Sequence, residues 1–123
     1  MKKIFSLLML ALIGSAVAFA QIELFVANDV GRNGHYEQKP FAELMGRMAE
    51  EHDVEAILAL GDTHHYMGVQ SVNDPLWMTN FELIYSHPEL QVPWYPVLGN
   101  HEYRGNTQAV LDYSQVSRRW QMP

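Results

Sequence analysis

Three short apolar runs in this sequence each end in polar residues that can bind a metal ion. The runs 22–27, 56–60 and 97–98 are followed in turn by Asp29, by Asp62 and by the pair Asn100-His101. In an open α/β sheet, the loops at the carboxyl ends of neighbouring parallel strands meet at one edge. The pattern therefore predicts a parallel sheet whose loops form a single polar site.

Segments with helical periodicity separate these runs and give a βαβαβα order, which is typical of the α/β class. Strands are expected over 22–27, 54–60 and 92–98, and the apolar composition of the first predicts burial on both faces. A last helix is expected over 107–119, with Arg118 and Arg119 at its solvated end. Three apolar stripes with helical spacing are expected to face the core: Phe41, Leu44, Met45 and Met48; Trp77, Phe81, Ile84 and Tyr85; and Val110, Tyr113, Val116 and Trp120.

Residues 1–20 have the form of a secretory signal peptide. Lys2-Lys3 precede the apolar residues 4–13, and Ala18-Phe19-Ala20 matches the small-x-small cleavage pattern. The alternative is a membrane anchor, but the apolar stretch is short for a span. The sequence contains no cysteine, so it offers neither a lipoprotein attachment site nor disulfides. We therefore predict a bacterial protein that is periplasmic or secreted, without membrane association after cleavage.

The charge of the chain argues against nucleic acid as a partner. The formal net charge is −6 at pH 7, and it becomes −8 once Lys2 and Lys3 leave with the signal peptide. A nucleic-acid backbone requires clustered Lys and Arg side chains. An acidic chain is instead compatible with a site that holds multivalent cations.

The two aspartates suit a site for hard or borderline metal ions. Gly31 lets the backbone turn away so that Asp29 can point outward, although an aspartate after a strand often only caps a turn. Asp62 follows the apolar residues 57–60 and lies close to the sheet, where an unpaired charge is costly. Its two carboxylate oxygens make it the simplest bridge between two metal ions.

Gly99-Asn100-His101-Glu102 is the most specific of the three motifs. Asn100 offers a neutral amide oxygen to a metal, and His101 can titrate near neutrality. His101 could hold a substrate phosphate oxygen or protonate a departing alkoxide, which would make it the catalytic residue. The alternative is an ordinary loop with a hydrogen-bonded asparagine and an exposed histidine.

In order and spacing, Asp29-Val30-Gly31, Gly61-Asp62 and Gly99-Asn100-His101-Glu102 resemble the first three signatures of the calcineurin-like metallophosphoesterases. The similarity extends over nearly all of 22–123, and within that superfamily it is strongest to the small purple acid phosphatases of the tartrate-resistant type. The resemblance implies part of a four-layer α/β/β/α metallophosphatase sandwich.

The resemblance also implies a dinuclear metal centre, with iron paired with iron, zinc or manganese. Asp29 would bind one ion, Asp62 would bridge both, Asn100 would bind the second, and His101 would contact phosphate. The implied reaction is hydrolysis of a phosphate monoester by a metal-activated hydroxide. The substrate would be a small phosphate ester or a phosphoprotein.

His65 departs from the family pattern. The family has a tyrosine that binds ferric iron three residues after the bridging aspartate, whereas this sequence has His65 there, followed by Tyr66. Imidazole binds zinc, iron or manganese, so we predict His65 as a metal ligand but not His64. The alternative is that one of the two histidines faces solvent and neither binds metal. Because imidazole cannot supply phenolate charge transfer, no purple colour is expected.

The later signatures of the family, a lone histidine and a Gly-His-x-His element, have no counterpart in 106–123. We therefore expect 21–123 to be the N-terminal portion of a metallophosphoesterase domain whose C-terminal half is missing, with apolar sheet faces uncovered. The favoured function is an exported phosphomonoesterase. Two alternatives stay open: a phosphodiesterase or nucleotide hydrolase of the same superfamily, and an inactive truncated product.

Overall fold

The computed structural model describes residues 21–123, and the predicted signal peptide lies outside these described residues. A parallel sheet of three strands forms the centre, in the order β1, β2, β3. The strands are β1 (Leu24–Ala27), β2 (Ala56–Ala59) and β3 (Trp94–Pro96). Each strand is shorter than the run that predicts it, but the parallel α/β class is confirmed.

Helices and short helical turns connect the strands. Helix α1 (Gln38–His52) joins β1 to β2, and helix α2 (Thr107–Asp112) follows β3. Between β2 and β3 lie a π-helical turn (Met78–Glu82) and a 3-10 turn (Pro88–Leu90). Two further 3-10 turns, Glu102–Arg104 and Tyr113–Gln115, flank α2. No helix among residues 21–123 has the length and apolar composition required to cross a membrane.

The core lies on one face of the sheet and is rich in aromatic rings. Ile57 and Trp94 are neighbours in register on this face and are fully buried. The ring of Trp94 lies 5.0 Å, between centroids, from the rings of both Phe81 and Tyr85. Trp120 forms an additional parallel bridge with Trp94, which fixes the end of the chain against β3. The five largest fully buried side chains are all aromatic: Trp77, Trp94, Trp120, Tyr85 and Phe81.

The opposite face of the sheet is exposed, so the prediction that β1 is buried on both faces is wrong. Val26, Leu58 and Tyr95 are neighbours in register on this face. Val26 is 63% exposed and Tyr95 is 47% exposed. β1 is an edge strand of this sheet, and the helices of the described chain pack on the other side.

The apolar stripe of α1 also faces outward, contrary to prediction. Phe41, Leu44 and Met48 are all exposed, and only Met45 of the predicted stripe is buried. The side chains that α1 does bury are mostly small: Gln38, Ala42, Met45, Gly46 and Ala49. Small residues let the helix approach its neighbours closely, so the buried face is decided by shape rather than by the amount of apolar surface.

The C-terminal helix is shorter than predicted. Helical structure ends at Gln115 rather than near 119, and Val116 is exposed instead of lying on the buried side. Arg119 is buried rather than solvated, because its guanidinium pairs with the carboxylate of Glu82 at 2.9 Å and also donates to main-chain carbonyls. A buried charge with satisfied donors is tolerated.

Candidate metal centre

The loops that follow β1 and β2 are bound to each other through their backbones. The Asp29 N–H donates to the carbonyl of Gly61 at 3.1 Å, and the Gly31 N–H donates to the carbonyl of Asp62 at 3.2 Å. A Cβ atom at Gly31 would overlap the carbonyl of Thr63. Gly31 is therefore needed for close contact between the two loops, which brings the two aspartates to one edge of the sheet.

Asp29 and Asp62 share an uncommon backbone conformation. Their φ angles are 54° and 52°, in the left-handed region that few residues other than glycine adopt. Such conformations persist where the surroundings impose them, and they are frequent at functional sites. The Asp29 side chain is about half exposed and that of Asp62 is largely buried.

His65 lies between the two carboxylates. Its Nε2 atom is 3.7 Å from Oδ1 of Asp29 and 4.0 Å from Oδ2 of Asp62. Burial lowers the pKa of His65, and the charge of Arg32 and the neighbouring His101 lower it further. A lowered pKa keeps the imidazole neutral near pH 7, with a ring nitrogen lone pair that can bind a metal.

His101 completes a compact group of donors. Its backbone N–H donates to Oδ1 of Asp62 at 3.0 Å, and its ring centroid lies 4.0 Å from that of His65. One ligand atom from each of Asp62, His65 and His101 falls within 4.8 Å of the other two. Nδ1 of His101 lies 2.6 Å from the carbonyl of Tyr66. Because a carbonyl only accepts, Nδ1 carries the proton and Nε2 is the free ring nitrogen.

The structure thus brings together four of the five predicted site residues, Asp29, Asp62, His65 and His101. Asn100 precedes His101 in the same loop and is exposed. Its side chain makes no hydrogen bond within residues 21–123, so its assignment as a ligand stays a prediction. The division of roles between metal and phosphate, including that of His101, also stays a prediction.

His64 points away from the donor group. It is fully buried, with its ring centroid 4.3 Å from that of Trp77. Burial lowers the pKa of His64 to about 3. The alternative in which one histidine of the pair faces solvent therefore does not hold, since both are buried.

Sequence reasoning missed two residues of this region. Arg32 contacts the ring of His65, with Nη1 2.5 Å from Nε2, and its Nη2 atom is 3.8 Å from Oδ1 of Asp29. Arg32 and His65 also line one cavity together with Tyr36 and Tyr66. Glu102 lies behind the site and is 1% exposed. A glutamate in a loop is normally expected to be exposed to solvent. The only sequence signal for Glu102 is therefore its position in the motif Gly99-Asn100-His101-Glu102.

A family model described as calcineurin-like phosphoesterase matches residues 23–123. Two plant relatives from Arabidopsis thaliana, purple acid phosphatase 7 and purple acid phosphatase 4, are 39% and 42% identical to this chain, and each match covers 80% of it. Tartrate-resistant acid phosphatase type 5 from Oryctolagus cuniculus is 42% identical over 67% of the chain. The chain spans 30% of each plant relative and 26% of the rabbit protein.

A solved structure shows the same fold. This structure is GAP50, the anchor in the inner membrane complex of Plasmodium, and it superimposes with a TM-score of 0.67 at 26% sequence identity. The match covers 73% of this chain and 29% of the other. These similarities agree with the family that the three sequence motifs resemble.

Proposed function

The chain belongs to the calcineurin-like phosphoesterase family, and from this membership we propose that it supplies the metal-binding part of a phosphoesterase that hydrolyses phosphate monoesters. The observation that carries the proposal is the convergence of Asp29, Asp62, His65 and His101 at one edge of the sheet. Because the chain spans 30% of its plant relatives, activity and substrate are proposals for this protein.

The donors at this edge fit a dinuclear centre of borderline metal ions. Carboxylate oxygen and neutral imidazole nitrogen suit iron, zinc and manganese, and the lowered pKa of His65 favours the neutral form. Asp29, His65 and Asn100 would each bind one ion, and Asp62 would bridge both. When bound, two such ions would activate water and neutralise charge on the transferring phosphoryl group.

Two further side chains of the site, His101 and Arg32, would contact the phosphate group of the substrate. His101 is held by the carbonyl of Tyr66 through Nδ1, so Nε2 is free to face a phosphate oxygen or the departing alkoxide. Arg32 adds a permanent positive charge beside Asp29 and His65, which would attract a phosphate dianion to the cavity. These roles support a monoester, whose terminal phosphate carries more charge than a diester.

Calorimetric titration of the purified protein with Mn²⁺ or Zn²⁺ tests the metal site. The native chain is expected to bind metal, and His65→Ala is expected to weaken binding at least tenfold. His35→Ala is the matched control, since His35 is exposed in the neighbouring loop and lies outside the donor group. Absence of binding by the native chain, or equal binding by His65→Ala, would contradict the proposal.

A paired assay tests the reaction. With metal present, the rate on p-nitrophenyl phosphate is expected to exceed the rate on bis(p-nitrophenyl) phosphate, and His101→Ala is expected to lower the monoester rate about 100-fold. The opposite preference would favour the phosphodiesterase alternative.

We also propose that the protein is exported from a bacterial cell, on the pattern of residues 1–20. Expression of the whole chain followed by cell fractionation and N-terminal sequencing tests this. A mature protein outside the cytoplasm that begins at Gln21 is expected. Cytoplasmic protein that retains Met1 would refute export.

A further inference from the structure

We propose that Glu102 is a positioning residue, one whose carboxylate holds together the two loops that carry the metal-binding donors. The inference rests on the proposed function, because it assigns Glu102 a role in that site. Glu102 is the last residue of the third motif, but it is neither one of the proposed metal ligands nor the proposed catalytic residue.

The carboxylate of Glu102 accepts four hydrogen bonds. Oε2 accepts from the backbone N–H of Asp62 at 2.9 Å and from that of Gly99 at 2.7 Å. Oε1 accepts from the backbone N–H of His64 at 3.0 Å and from the hydroxyl of Thr63 at 3.1 Å. Each oxygen has two lone pairs, so the hydrogen-bonding capacity of the carboxylate is filled.

These donors belong to two different loops. Residues 62–64 follow β2 and include the bridging aspartate, while Gly99 follows β3 and directly precedes Asn100 and His101. The strands themselves end before these residues, so backbone pairing in the sheet does not fix them. Glu102 therefore determines the separation between Asp62 and the loop of His101.

The conformation of Asp62 adds a second reason for this role. Asp62 has a φ angle of 52°, which is unfavourable for a residue other than glycine. Its N–H is directed to Glu102 and its Oδ1 accepts from the N–H of His101 at 3.0 Å. Both contacts hold the Asp62 carboxylate in one orientation before a cation arrives, and such preorganisation raises metal affinity.

The fit between the two loops is also close. A Cβ atom at Gly99 would overlap the carboxylate of Asp62, and a Cβ atom at Gly61 would lie 2.9 Å from Cα of Gly99. Two glycines and one buried carboxylate thus contribute to the contact between the loops, together with the hydrogen bond from the His101 N–H to Asp62. Without the carboxylate, the N–H groups of Asp62, His64 and Gly99 would lose their acceptor, and the loops would be free to separate.

The test compares Glu102→Gln with native protein and with a matched control. Glutamine keeps the size of the side chain but only one of the two accepting oxygens, and its NH₂ group cannot accept from the N–H and O–H donors that the other oxygen serves. Glu82→Gln is the control, since the partly buried carboxylate of Glu82 also accepts hydrogen bonds, but from Tyr113 and Arg119, which lie outside the donor group. Any loss of stability common to buried carboxylates would appear in both variants.

Two measurements decide the inference. In calorimetric titration with Mn²⁺, Glu102→Gln is expected to bind 10–100-fold more weakly than native protein, as second-layer changes at metal sites commonly do, and Glu82→Gln is expected to bind as native. In amide hydrogen exchange without metal, the amides of Asp62, His64 and Gly99 are expected to exchange at least tenfold faster in Glu102→Gln, while that of Ala49 in α1 is unchanged.

The outcomes separate the inference from the proposed function. Native protein that binds no metal would contradict the proposed function, and the exchange rates would then decide by themselves whether Glu102 holds the loops. Equal Mn²⁺ affinity of Glu102→Gln and native protein, or exchange that rises equally at Ala49 and Gly99, would overturn the positioning role.

Discussion

Two consecutive histidines, His64 and His65, are both buried but have different neighbours. His64 is enclosed by Trp77 and Trp120, and its Nε2 atom has no hydrogen-bond partner within residues 21–123. His65 instead reaches the carboxylates of Asp29 and Asp62. Both imidazoles have lowered pKa values, chiefly because burial disfavours the charged form. The lowered pKa of His64 affects the stability of the fold in acid, whereas the lowered pKa of His65 favours the neutral imidazole that can bind a metal.

His64 is expected to make the protein sensitive to acid. Its pKa is about 3 in the folded protein and about 6.5 in an unfolded chain, so between these values only the unfolded chain takes up the proton. Stability is therefore lost as the pH falls from about 6.5 towards 3. At pH 5 the contribution of this residue is a loss of about 2 kcal/mol. The free energy of unfolding in urea, measured at pH 7.5 and pH 5, checks this.

The matched variant for this prediction is His64→Gln, which cannot titrate. Its absolute stability is expected to fall, but the difference between the two pH values should be smaller than in native protein by about 2 kcal/mol. An equal difference in both proteins would show that other groups cause the acid sensitivity.

His65→Tyr is expected to create colour. The resemblance to the purple acid phosphatases implies a tyrosine that binds ferric iron at this position, and a phenolate bound to Fe³⁺ absorbs visible light. Native protein loaded with iron should lack this band, because imidazole has no phenolate to donate charge. The visible spectrum of both proteins after addition of Fe³⁺ is the measurement. Bound iron in His65→Tyr without a visible band would place residue 65 outside the coordination sphere.

At the scale of elements, the site depends on contacts between loops rather than on the strands. The β1 and β2 loops are joined by backbone hydrogen bonds at Asp29 and Gly31, and Glu102 joins the β2 and β3 loops. Strand order places the loops near one another, while glycines and a buried carboxylate set the final distances. Changes in these contacts should therefore affect the metal site more than changes in the strands.

Gly31→Ala is expected to lower both stability and metal affinity. The new methyl group would overlap the carbonyl of Thr63, a backbone atom that can move only with its loop. Such overpacking costs about 1–3 kcal/mol, and it would push Asp29 away from Asp62. Gly34→Ala is the comparison, since its φ of +77° is unfavourable for alanine but the nearest atom belongs to the flexible side chain of Lys39.

Unfolding free energies and Mn²⁺ titrations of both glycine variants are the measurements. We expect Gly34→Ala to cost about 1 kcal/mol with little change in metal affinity, and Gly31→Ala to change both. Native metal affinity in Gly31→Ala would indicate that the contact with Thr63 does not position Asp29.

The sequence predicts the order of the elements, the convergence of their loops and most of the two aromatic-rich stripes that are buried: Trp77, Phe81, Tyr85, Val110, Tyr113 and Trp120. It does not predict which faces of α1 and β1 are buried. The polar endings at Asp29 and Asp62 are informative because parallel strands end at one edge. Phe41, Leu44 and Met48 are exposed, contrary to prediction, because periodicity identifies an apolar face but not the surface that covers it. Burial of Glu102 depends on donors from two separate loops, which no local pattern reveals.

At the scale of the whole molecule, the described chain has a large exposed apolar surface. The outward side of α1 and the edge strand β1 form a groove lined by Phe25, Val26, Ala27, Phe41, Leu44, Met45 and Met48. The exposed sheet face continues from Val26 to Tyr95. Edge strands and apolar patches of this kind promote association. Solution behaviour should therefore depend on the groove as much as on the buried core.

Substitution of Leu44 by lysine should reduce association of the purified chain. Leu44 is 47% exposed and lines the groove, so lysine can extend into solvent while its charge interrupts the apolar surface. Native protein is expected to bind a hydrophobic dye and to sediment faster as its concentration rises, and Leu44→Lys should reduce dye fluorescence by about twofold or more. Val116→Lys is the matched control, because Val116 is 57% exposed and lies outside the groove. Equal dye binding and equal sedimentation for the two variants would show that the groove is not the surface that drives association.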